Sequence, residues 1–189
     1  RDYYTAGAPY FVFVGSLHPR KNITNLLKAF QLFREENRDN FKLIIVGEKF
    51  FLTKSMEEQL NRMKNKKDVI FTGRLTPDEL NDLLGAAWAM TFVPFFEGFG
   101  IPVLEAMKCD IPVIASKVTS LPEIAGDAAI YADPHSPGSI RDAMMRMVRE
   151  EGLRRSLIEK GKEKRKQYSW DHTAEMVWNS IQQVMENDA

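Results

Sequence analysis

Six short apolar runs, separated by turns and helical patterns, constrain the fold of this chain more than any other feature. Each run is four to six residues long and apolar or aromatic almost throughout. Such continuous runs are typical of strands that are buried on both faces of a parallel sheet. The predicted strands are Tyr10–Val14, Phe41–Val46, Val69–Thr72, Ala89–Val93, Ile111–Ala115 and Ala128–Ala132.

Helical patterns occupy the segments between these strands. Apolar residues recur at three- and four-residue spacing over 23–33, which predicts an amphipathic helix after the first strand. Ser55 with Glu58, and Thr76 with Glu79, match the capping box that opens many helices. We therefore expect helices that begin at about Ser55 and just after Thr76.

The last third of the chain continues the alternation and then becomes helical. Ser120 to Glu123 predicts a short capped helix, and three further helices are expected over 138–149, 151–167 and 171–186. We expect apolar residues to anchor the last of them: Trp170, Met176, Val177, Trp178, Ile181 and Val184.

Strands that alternate with helices predict an α/β fold, a doubly wound parallel six-stranded Rossmann-like sheet with helices on both faces and helices at the C-terminus. Residues 1–9 are expected to form an interdomain connector and residues 10–189 a single domain. Because the chain begins with Arg1 rather than methionine, we expect it to be a fragment of a longer protein.

Composition removes several classes of function. Lys and Arg together number 26, as do Asp and Glu, so no global positive charge recruits nucleic acid. The three histidines are scattered and show no metal-ligand spacing. The longest apolar stretch, near residues 86–96, is too short to span a bilayer, and no signal peptide precedes it. With a single cysteine, Cys109, these features predict a soluble cytoplasmic domain.

The segment after the fourth predicted strand combines a glycine turn with a helix start. Gly98 and Gly100 precede a helix that opens at about Pro102. Backbone N–H groups at such a start, together with the helix dipole, attract anions such as phosphate. Glu97 and Glu105 flank this site. Since carboxylates repel an anion, we expect them to bind hydroxyl groups or a developing positive charge, and the combination indicates a phosphorylated sugar.

The loop after the first strand carries the cations Arg20 and Lys21. In a doubly wound sheet, strands one and four are typically adjacent where strand order reverses, and ligands bind there. Two adjacent cations can neutralise a diphosphate. Residues 15–21 lack the second glycine and the Lys-Ser/Thr ending of a Walker loop, and residues 98–103 lack the third glycine of a dinucleotide fingerprint. Taken alone, such a pair is more typical of a solvated surface loop, but its place after strand one, opposite the helix start, favours a binding role.

Several motifs in order resemble one known family. Residues 97–107, Glu-Gly-Phe-Gly-Ile-Pro-Val-Leu-Glu-Ala-Met, look like the Glu-x7-Glu signature of the family-four retaining glycosyltransferases of GT-B fold. Residues 14–22, Val-Gly-Ser-Leu-His-Pro-Arg-Lys-Asn, resemble that family's glycine, arginine and lysine loop. Further matches lie at residues 71–75, 112–116, 120–124 and 168–170. The resemblance covers nearly the whole chain and identifies it as the donor-binding, C-terminal half of a GT-B enzyme.

The resemblance implies a role for each motif. Arg20 and Lys21 would bind the donor diphosphate, Glu105 the ribose hydroxyls, and Glu97 the sugar near its anomeric centre. Backbone N–H groups around Gly100 to Val103 would hold the distal phosphate. Glu97, Arg20 and Lys21 are thus the expected catalytic residues. The expected donor-binding residues are Gly15, Arg20, Lys21, Gly73, Arg74, Leu75, Gly98, Phe99, Gly100, Ile101, Pro102, Val103, Leu104 and Glu105.

The expected function is that of the donor domain of a metal-independent, retaining hexosyltransferase of polysaccharide biosynthesis. It would need no cofactor and would bind a nucleoside-diphosphate sugar. A sugar, glycan or lipid-linked acceptor would bind the absent N-terminal domain, which could also associate peripherally with the inner face of the cytoplasmic membrane. The fragment alone is expected to be inactive. Two alternatives remain open: another GT-B sugar-nucleotide enzyme, such as an epimerase or phosphorylase, and a non-catalytic sugar-nucleotide-binding module.

One position departs from the family pattern. Lys108, Cys109 and Asp110 follow the Glu-Ala-Met of the signature, where the family usually has a small pair ending in glycine. Aspartate adopts the left-handed conformation required at a helix C-terminus at some cost relative to glycine. We therefore expect the local turn, rather than the phosphate site, to be affected.

Overall fold

A computed structural model describes residues 2–48 and 53–187. Its six strands form one sheet in which every neighbouring pair is parallel. The strands are β1 (Tyr10–Val14), β2 (Lys42–Val46), β3 (Val69–Gly73), β4 (Ala89–Phe92), β5 (Val113–Ser116) and β6 (Ala129–Ala132). The order β3-β2-β1-β4-β5-β6 confirms the predicted doubly wound fold, with β1 beside β4 at the reversal.

The α-helices of the described residues lie before, between and after the strands. They are α1 (Asp2–Thr5), α2 (Ile23–Glu36), α3 (Lys54–Arg62), α4 (Pro77–Gly85), α5 (Ile101–Lys108), α6 (Leu121–Ala125), α7 (Pro137–Arg149), α8 (Glu151–Arg165) and α9 (Trp170–Asn187). None of them is both long enough and apolar enough to cross a membrane.

The helices form two layers around the sheet. α2 packs against α3 and α7, and α5 packs against α4, α6 and α8. The core lies between these layers and the strands, and β1, β4 and β5 are buried along their whole length. This burial explains why the strands appear as unbroken apolar runs in the sequence.

Side-chain and backbone hydrogen bonds join the loops at the carboxyl ends of β1 and β4. The Nδ2 amide of buried Asn22 donates to Val93 O at 2.9 Å and to Pro134 O at 2.8 Å. Phe95 N donates to Arg20 O at 2.8 Å. These hydrogen bonds hold the two loops in direct contact at the topological switch point.

Two helix starts differ from the sequence predictions. Helix α3 is capped by Thr53, whose side chain accepts from Met56 N, so the prediction of a capping box at Ser55 and Glu58 was wrong. Ser120 occupies the N-cap position of α6 but makes no capping hydrogen bond. The capping box of Thr76 and Glu79 at α4 is confirmed.

Helix α9 differs more from its prediction. The apolar side chains that were expected to anchor it are exposed, with Trp170 at 73% and Trp178 at 57% exposure. The helix forms over the expected residues, but its apolar face is not packed against the described remainder of the chain. No other helix or strand makes extensive contact with α9 among the described residues.

The segment at 1–9 contains α1 and then leads into β1. Its role as an interdomain connector stays a prediction, as does the single domain over 10–189. Arg1, residues 49–52 and residues 188–189 belong to these predicted ranges but lie outside the described residues.

Candidate functional site

The loop that follows β1 is tightly folded at the carboxyl edge of the sheet. Residues Pro19–Lys21 form a 3₁₀ helix, and His18 Nδ1 accepts a hydrogen bond from Arg20 N at 3.2 Å. Asn22 then takes a left-handed conformation with φ of 63° and starts α2. At the beginning of the loop, Gly15 approaches Gly47 so closely that a Cβ on Gly47 would lie 2.0 Å from Gly15 O. The loop after β1 can therefore pack against the end of β2 only because residue 47 has no side chain.

Arg20, Lys21 and Glu97 form one charged cluster at this edge. Lys21 Nζ donates to Glu97 Oε2 and also lies 4.8 Å from the centre of the Phe92 ring. Arg20 NH1 lies 3.6 Å from the same carboxylate oxygen and 3.3 Å from Phe96 O, to which it donates a hydrogen bond. The structure thus brings together the three residues that were predicted to be catalytic.

The members of this cluster differ in exposure. The side chains of Lys21 and Glu97 are 7% and 12% exposed, whereas that of Arg20 is 41% exposed. Lys21 is therefore a fixed positive charge inside the edge of the sheet, and Arg20 presents its guanidinium to solvent. Two cations and one carboxylate leave one net positive charge, which favours an anion at this point.

The start of α5 lies on the same loop as Glu97. Gly100 has φ of 112° and precedes the helix, and Pro102 occupies the first turn. Within the described residues, the N–H groups of Phe99, Gly100 and Ile101 donate to no protein acceptor. Val103 N donates to Gly100 O at 2.9 Å. The free donors thus cover a shorter span than the expected Gly100 to Val103, because proline has no N–H and Val103 is already bonded.

Glu105 lies on the exposed side of α5, in a cavity of about 390 Å³. Partial burial raises the pKa of its carboxyl above the ordinary value, and the nearby Lys108 lowers it by a smaller amount. Arg20, Lys21 and Glu97 do not line this cavity. The residues that do are Phe99, Ile101, Leu104, Glu105, Lys108, Arg165, Tyr168, Ser169, Trp170 and Thr173.

The predicted base-binding residues lie at the same edge of the sheet, two strands away from β1. Gly73 ends β3 with φ of 74° and accepts a hydrogen bond from Gly47 N at 3.0 Å. Arg74 is exposed, and Leu75 packs partly against the core. Gly98 and Phe99 are exposed between Glu97 and α5, and Leu104 is buried. The individual binding roles of all these residues stay predictions.

Two hydroxyl residues contact the Glu97 loop, although the sequence analysis did not assign them to the site. The hydroxyl of Thr119 hydrogen-bonds to both the N–H and the carbonyl of Glu97. The hydroxyl of Ser120 donates to the carbonyls of Glu97 and Phe99. Ser120 was interpreted only as a helix cap, because its sequence spacing gives no sign of a partner more than twenty residues away.

The fold and site together define a class of protein. A parallel sheet whose strand order reverses between β1 and β4, with cations and a helix start meeting there, is typical of a Rossmann-like α/β domain. The chain belongs to the family described as "Glycosyl transferases group 1", whose model matches residues 5–164.

Individual relatives agree with this family. The chain is 33% identical over 180 residues to O-antigen chain mannosyltransferase B of Escherichia coli, a match that covers 95% of this chain and 47% of that protein. It is 30% identical over 176 residues to D-inositol 3-phosphate glycosyltransferase of Acidothermus cellulolyticus, covering 88% of this chain and 39% of that protein.

Solved structures show the same fold at low sequence identity. Sucrose-phosphate synthase from Thermosynechococcus elongatus superposes with a TM-score of 0.83 at 22% identity, over 96% of this chain and 46% of that one. Anabaena HepE in complex with UDP-glucose gives a TM-score of 0.84 at 17% identity, over 95% of this chain and 50% of that one. The chain has the architecture of one half of a GT-B fold and spans half or less of the length of these proteins.

Proposed function

We propose that this chain is the donor-binding domain of a retaining mannosyltransferase. The donor would be a nucleoside-diphosphate mannose, and the mannosyl group would pass to a hydroxyl of a glycan or lipid-linked acceptor. The choice of mannose is supported by several relatives that are named mannosyltransferases. The acceptor would bind a second domain, as in proteins of about twice this length.

The cluster of Arg20, Lys21 and Glu97 beside the start of α5 is the observation that carries this proposal. A diphosphate needs compact positive charge and free N–H donors, and both occur here within one loop pair. The carboxylate of Glu97 accepts a hydrogen bond from Lys21 Nζ and lies 3.6 Å from Arg20 NH1, so it is held beside both cations. A neutral, hydroxyl-rich sugar attached to the diphosphate would suit that position.

Each further residue receives a role from its place along the edge of the sheet. Glu105, beyond the start of α5, would accept hydrogen bonds from the ribose hydroxyls. Gly73, Arg74 and Leu75, at the end of β3, would border the base. In this arrangement the donor lies across the carboxyl ends of β3, β2, β1 and β4, with its sugar next to Glu97.

The chemistry requires stabilisation of the leaving group. As the bond between the anomeric carbon and the diphosphate oxygen breaks, negative charge grows on the diphosphate. Arg20, Lys21 and the N–H groups before Pro102 are fixed where this charge develops, so they would lower the barrier without reorganising. We propose that these groups supply the stabilisation that a metal ion supplies in other transferases, and that Glu97 stabilises positive charge at the anomeric carbon.

Calorimetry on this chain with GDP, UDP and ADP tests donor binding. We expect one of the three to bind with a dissociation constant well below about 1 mM. Its binding free energy would then be more favourable than about −4 kcal/mol. Changing Arg20 and Lys21 to Ala should weaken diphosphate binding much more than binding of the matching nucleoside. Arg38→Ala is a control for the loss of an exposed arginine, since Arg38 lies just beyond the C-terminal end of α2.

The two possible negative results separate the parts of the proposal. If all three diphosphates fail to bind at millimolar concentration, the donor-binding function is wrong. If binding occurs but the full-length protein transfers another sugar from a donor panel, only the choice of mannose is wrong. NMR of the product then tests retention through the anomeric configuration of the new glycosidic bond.

A further inference from the structure

The segment between β5 and α6 contains an unfavourable backbone conformation at Thr119. Its φ is 44°, in the left-handed region that β-branched residues rarely enter. Asn22 and Asp110 share positive φ, but asparagine and aspartate tolerate it far better than threonine. A conformation of this kind persists only where neighbouring interactions hold it, and it often marks a functional position.

One hydroxyl group provides those interactions. Thr119 Oγ1 accepts a hydrogen bond from Glu97 N at 3.2 Å and donates one to Glu97 O at 2.6 Å. Both backbone polar groups of Glu97 are therefore bonded to a single side chain 22 residues further along the chain. The peptide that carries the Glu97 carboxylate cannot rotate without breaking this pair.

Ser120 adds a second attachment to the same loop. Its Oγ lies 3.1 Å from Glu97 O and 2.8 Å from Phe99 O and donates to these carbonyls. A serine at an N-cap usually stabilises its own helix by accepting from the first turn. Here α6 begins without that bond, so the hydroxyl is used to hold the loop.

Helix α6 also limits the loop from below. A Cβ on Gly100 would lie 2.8 Å from Leu121 Cδ2, and Ile124 is the next nearest residue. The loop from Glu97 to Gly100 is thus seated on the first turn of α6 and hydrogen-bonded to the two residues before it. These contacts with the start of α6 fix the position of the loop.

We propose that Thr119 and Ser120 are positioning residues that aim the Glu97 carboxylate for glycosyl transfer. This inference rests on the proposed function, in which Glu97 acts beside the anomeric centre. Fixing the Glu97 peptide on both sides keeps its carboxylate between Lys21 and the donor sugar. Small errors in placing such a group reduce turnover by as much as about 10²-fold.

The test uses the full-length enzyme with three substitutions. Thr119→Val keeps the shape but removes the hydroxyl, Thr119→Ser keeps the hydroxyl, and Lys117→Ala is an exposed control in the same segment. We expect Thr119→Val to lower kcat by about 30- to 100-fold, a loss of the size expected for misplacing a reacting group. The Kd for the nucleoside diphosphate should change less than about twofold, and Thr119→Ser and Lys117→Ala should remain close to wild type.

A double-mutant cycle with Glu97→Gln distinguishes positioning from a general structural role. If Thr119 acts through Glu97, Thr119→Val should reduce kcat little further when Glu97 is already Gln. An equal fall of kcat in both backgrounds, or parallel losses of kcat and nucleotide affinity, would overturn the inference while leaving the proposed function intact. A wild-type enzyme that binds no nucleoside diphosphate and transfers no sugar would overturn both.

Discussion

Lys21 is a buried cation whose charge is balanced by the carboxylate of Glu97. We expect Glu97→Gln to destabilise the fold by about 3 kcal/mol, because it leaves Lys21 in a buried site without a counter-charge. Lys21→Met should cost less, about 1–2 kcal/mol, since Arg20 remains 3.6 Å from the Glu97 carboxylate. Urea unfolding of this chain measures both changes.

The double variant of Lys21→Met and Glu97→Gln checks the reason for these losses. If the pair is coupled, the double variant should lose about 1–3 kcal/mol less than the sum of the single variants. Lys28→Ala, on the exposed side of α2, is the control for removal of a lysine charge. Strict additivity would contradict a mutually stabilising pair.

If Glu105 binds the ribose as proposed, donor binding depends on the protonation of its carboxyl. Burial raises the pKa of its carboxyl above the ordinary value of 4.5. Its contribution to folding stability is therefore fully present below pH 4.5 and is lost as pH rises through the higher folded pKa. Binding of ribose hydroxyls has the opposite dependence, because the ionised carboxylate is the better acceptor.

We therefore expect affinity for a nucleoside diphosphate to weaken as pH falls through the pKa of Glu105. Because that pKa is raised, the loss of affinity should begin above pH 4.5. Calorimetry across this range on the wild type and on Glu105→Gln measures the effect. The phosphate itself titrates in both proteins, so only the difference between them reports Glu105. Identical pH profiles would remove Glu105 from the nucleotide site.

Single residues also show where sequence reasoning ends. Arg20, Lys21 and Glu97 could be predicted as one cluster because their loops follow strands that the fold type places side by side. Thr119 could not, since nothing in its neighbours indicates a left-handed backbone or a partner at Glu97. Likewise, the internal bond from Val103 N to Gly100 O depends on the geometry of the first turn, which the proline and glycine spacing does not specify.

At the scale of elements, the C-terminus of α5 shows how Asp110 is accommodated where the family usually has glycine. Asp110 has φ of 56°, and Arg165 of α8 donates to its carboxylate at 2.7 Å. The same guanidinium donates to Met107 O at 2.6 Å and to Lys108 O at 2.9 Å. Arg165 thus caps α5 from the neighbouring helix, at the end opposite the candidate phosphate site.

We expect Arg165→Met to destabilise the chain by about 1–2 kcal/mol, because it removes one charged donor from Met107 O, Lys108 O and the Asp110 carboxylate. Arg155→Met is a matched control on the same helix, where the arginine pairs with Glu151 in an exposed position. That substitution should cost no more than about 0.5 kcal/mol. Urea unfolding compares the two, and equal losses would show that Arg165 contributes only an exposed ion pair.

The start of α3 illustrates why the existence of an element is easier to predict than its first residue. Ser55 and Glu58 match the capping box better than Thr53 and Met56 do. Thr53 nevertheless caps the helix, and Met56 is buried in the core at 2% exposure. Burial of Met56 fixes the rotation of the helix, and the cap follows from tertiary packing rather than from the local motif.

At the scale of the whole molecule, the alternation of strands and helices was sufficient to predict the sheet and its switch point. The exception is α9, whose length was predicted but whose apolar face remains exposed. Amphipathic periodicity indicates that one face of a helix is covered, but not which surface covers it. The prediction of a single domain placed the surface that covers α9 within this chain.

The first residue of α9 lies beside the start of α5. Trp170 shares a cavity with Phe99 and Ile101 at the start of α5, and the Phe99 ring lies edge-on to Tyr168 at 6.1 Å. Several large apolar side chains exposed along one helix are a common sign of an interaction surface. If the chain belongs to a longer protein with the second domain proposed above, we expect that domain to cover this face of α9.

Tryptophan fluorescence tests this arrangement. In this chain, Trp170 and Trp178 should be strongly quenched by acrylamide, since they are 73% and 57% exposed. In a protein extended to the length of its relatives, we expect quenching of both to fall severalfold and their emission to shift to the blue, because the second domain excludes water from α9. Trp88 is partly buried and donates to Met147 O, so it should behave alike in both proteins.

A variant with Trp170 and Trp178 changed to Phe isolates the signal of Trp88 and provides the baseline for subtraction. If quenching of the two α9 tryptophans is unchanged in the extended protein, the second domain does not cover this helix. Concentration-dependent protection in the short chain alone would instead assign the face to self-association. Protection that is independent of concentration and present only in the extended protein would support coverage of α9 by the second domain.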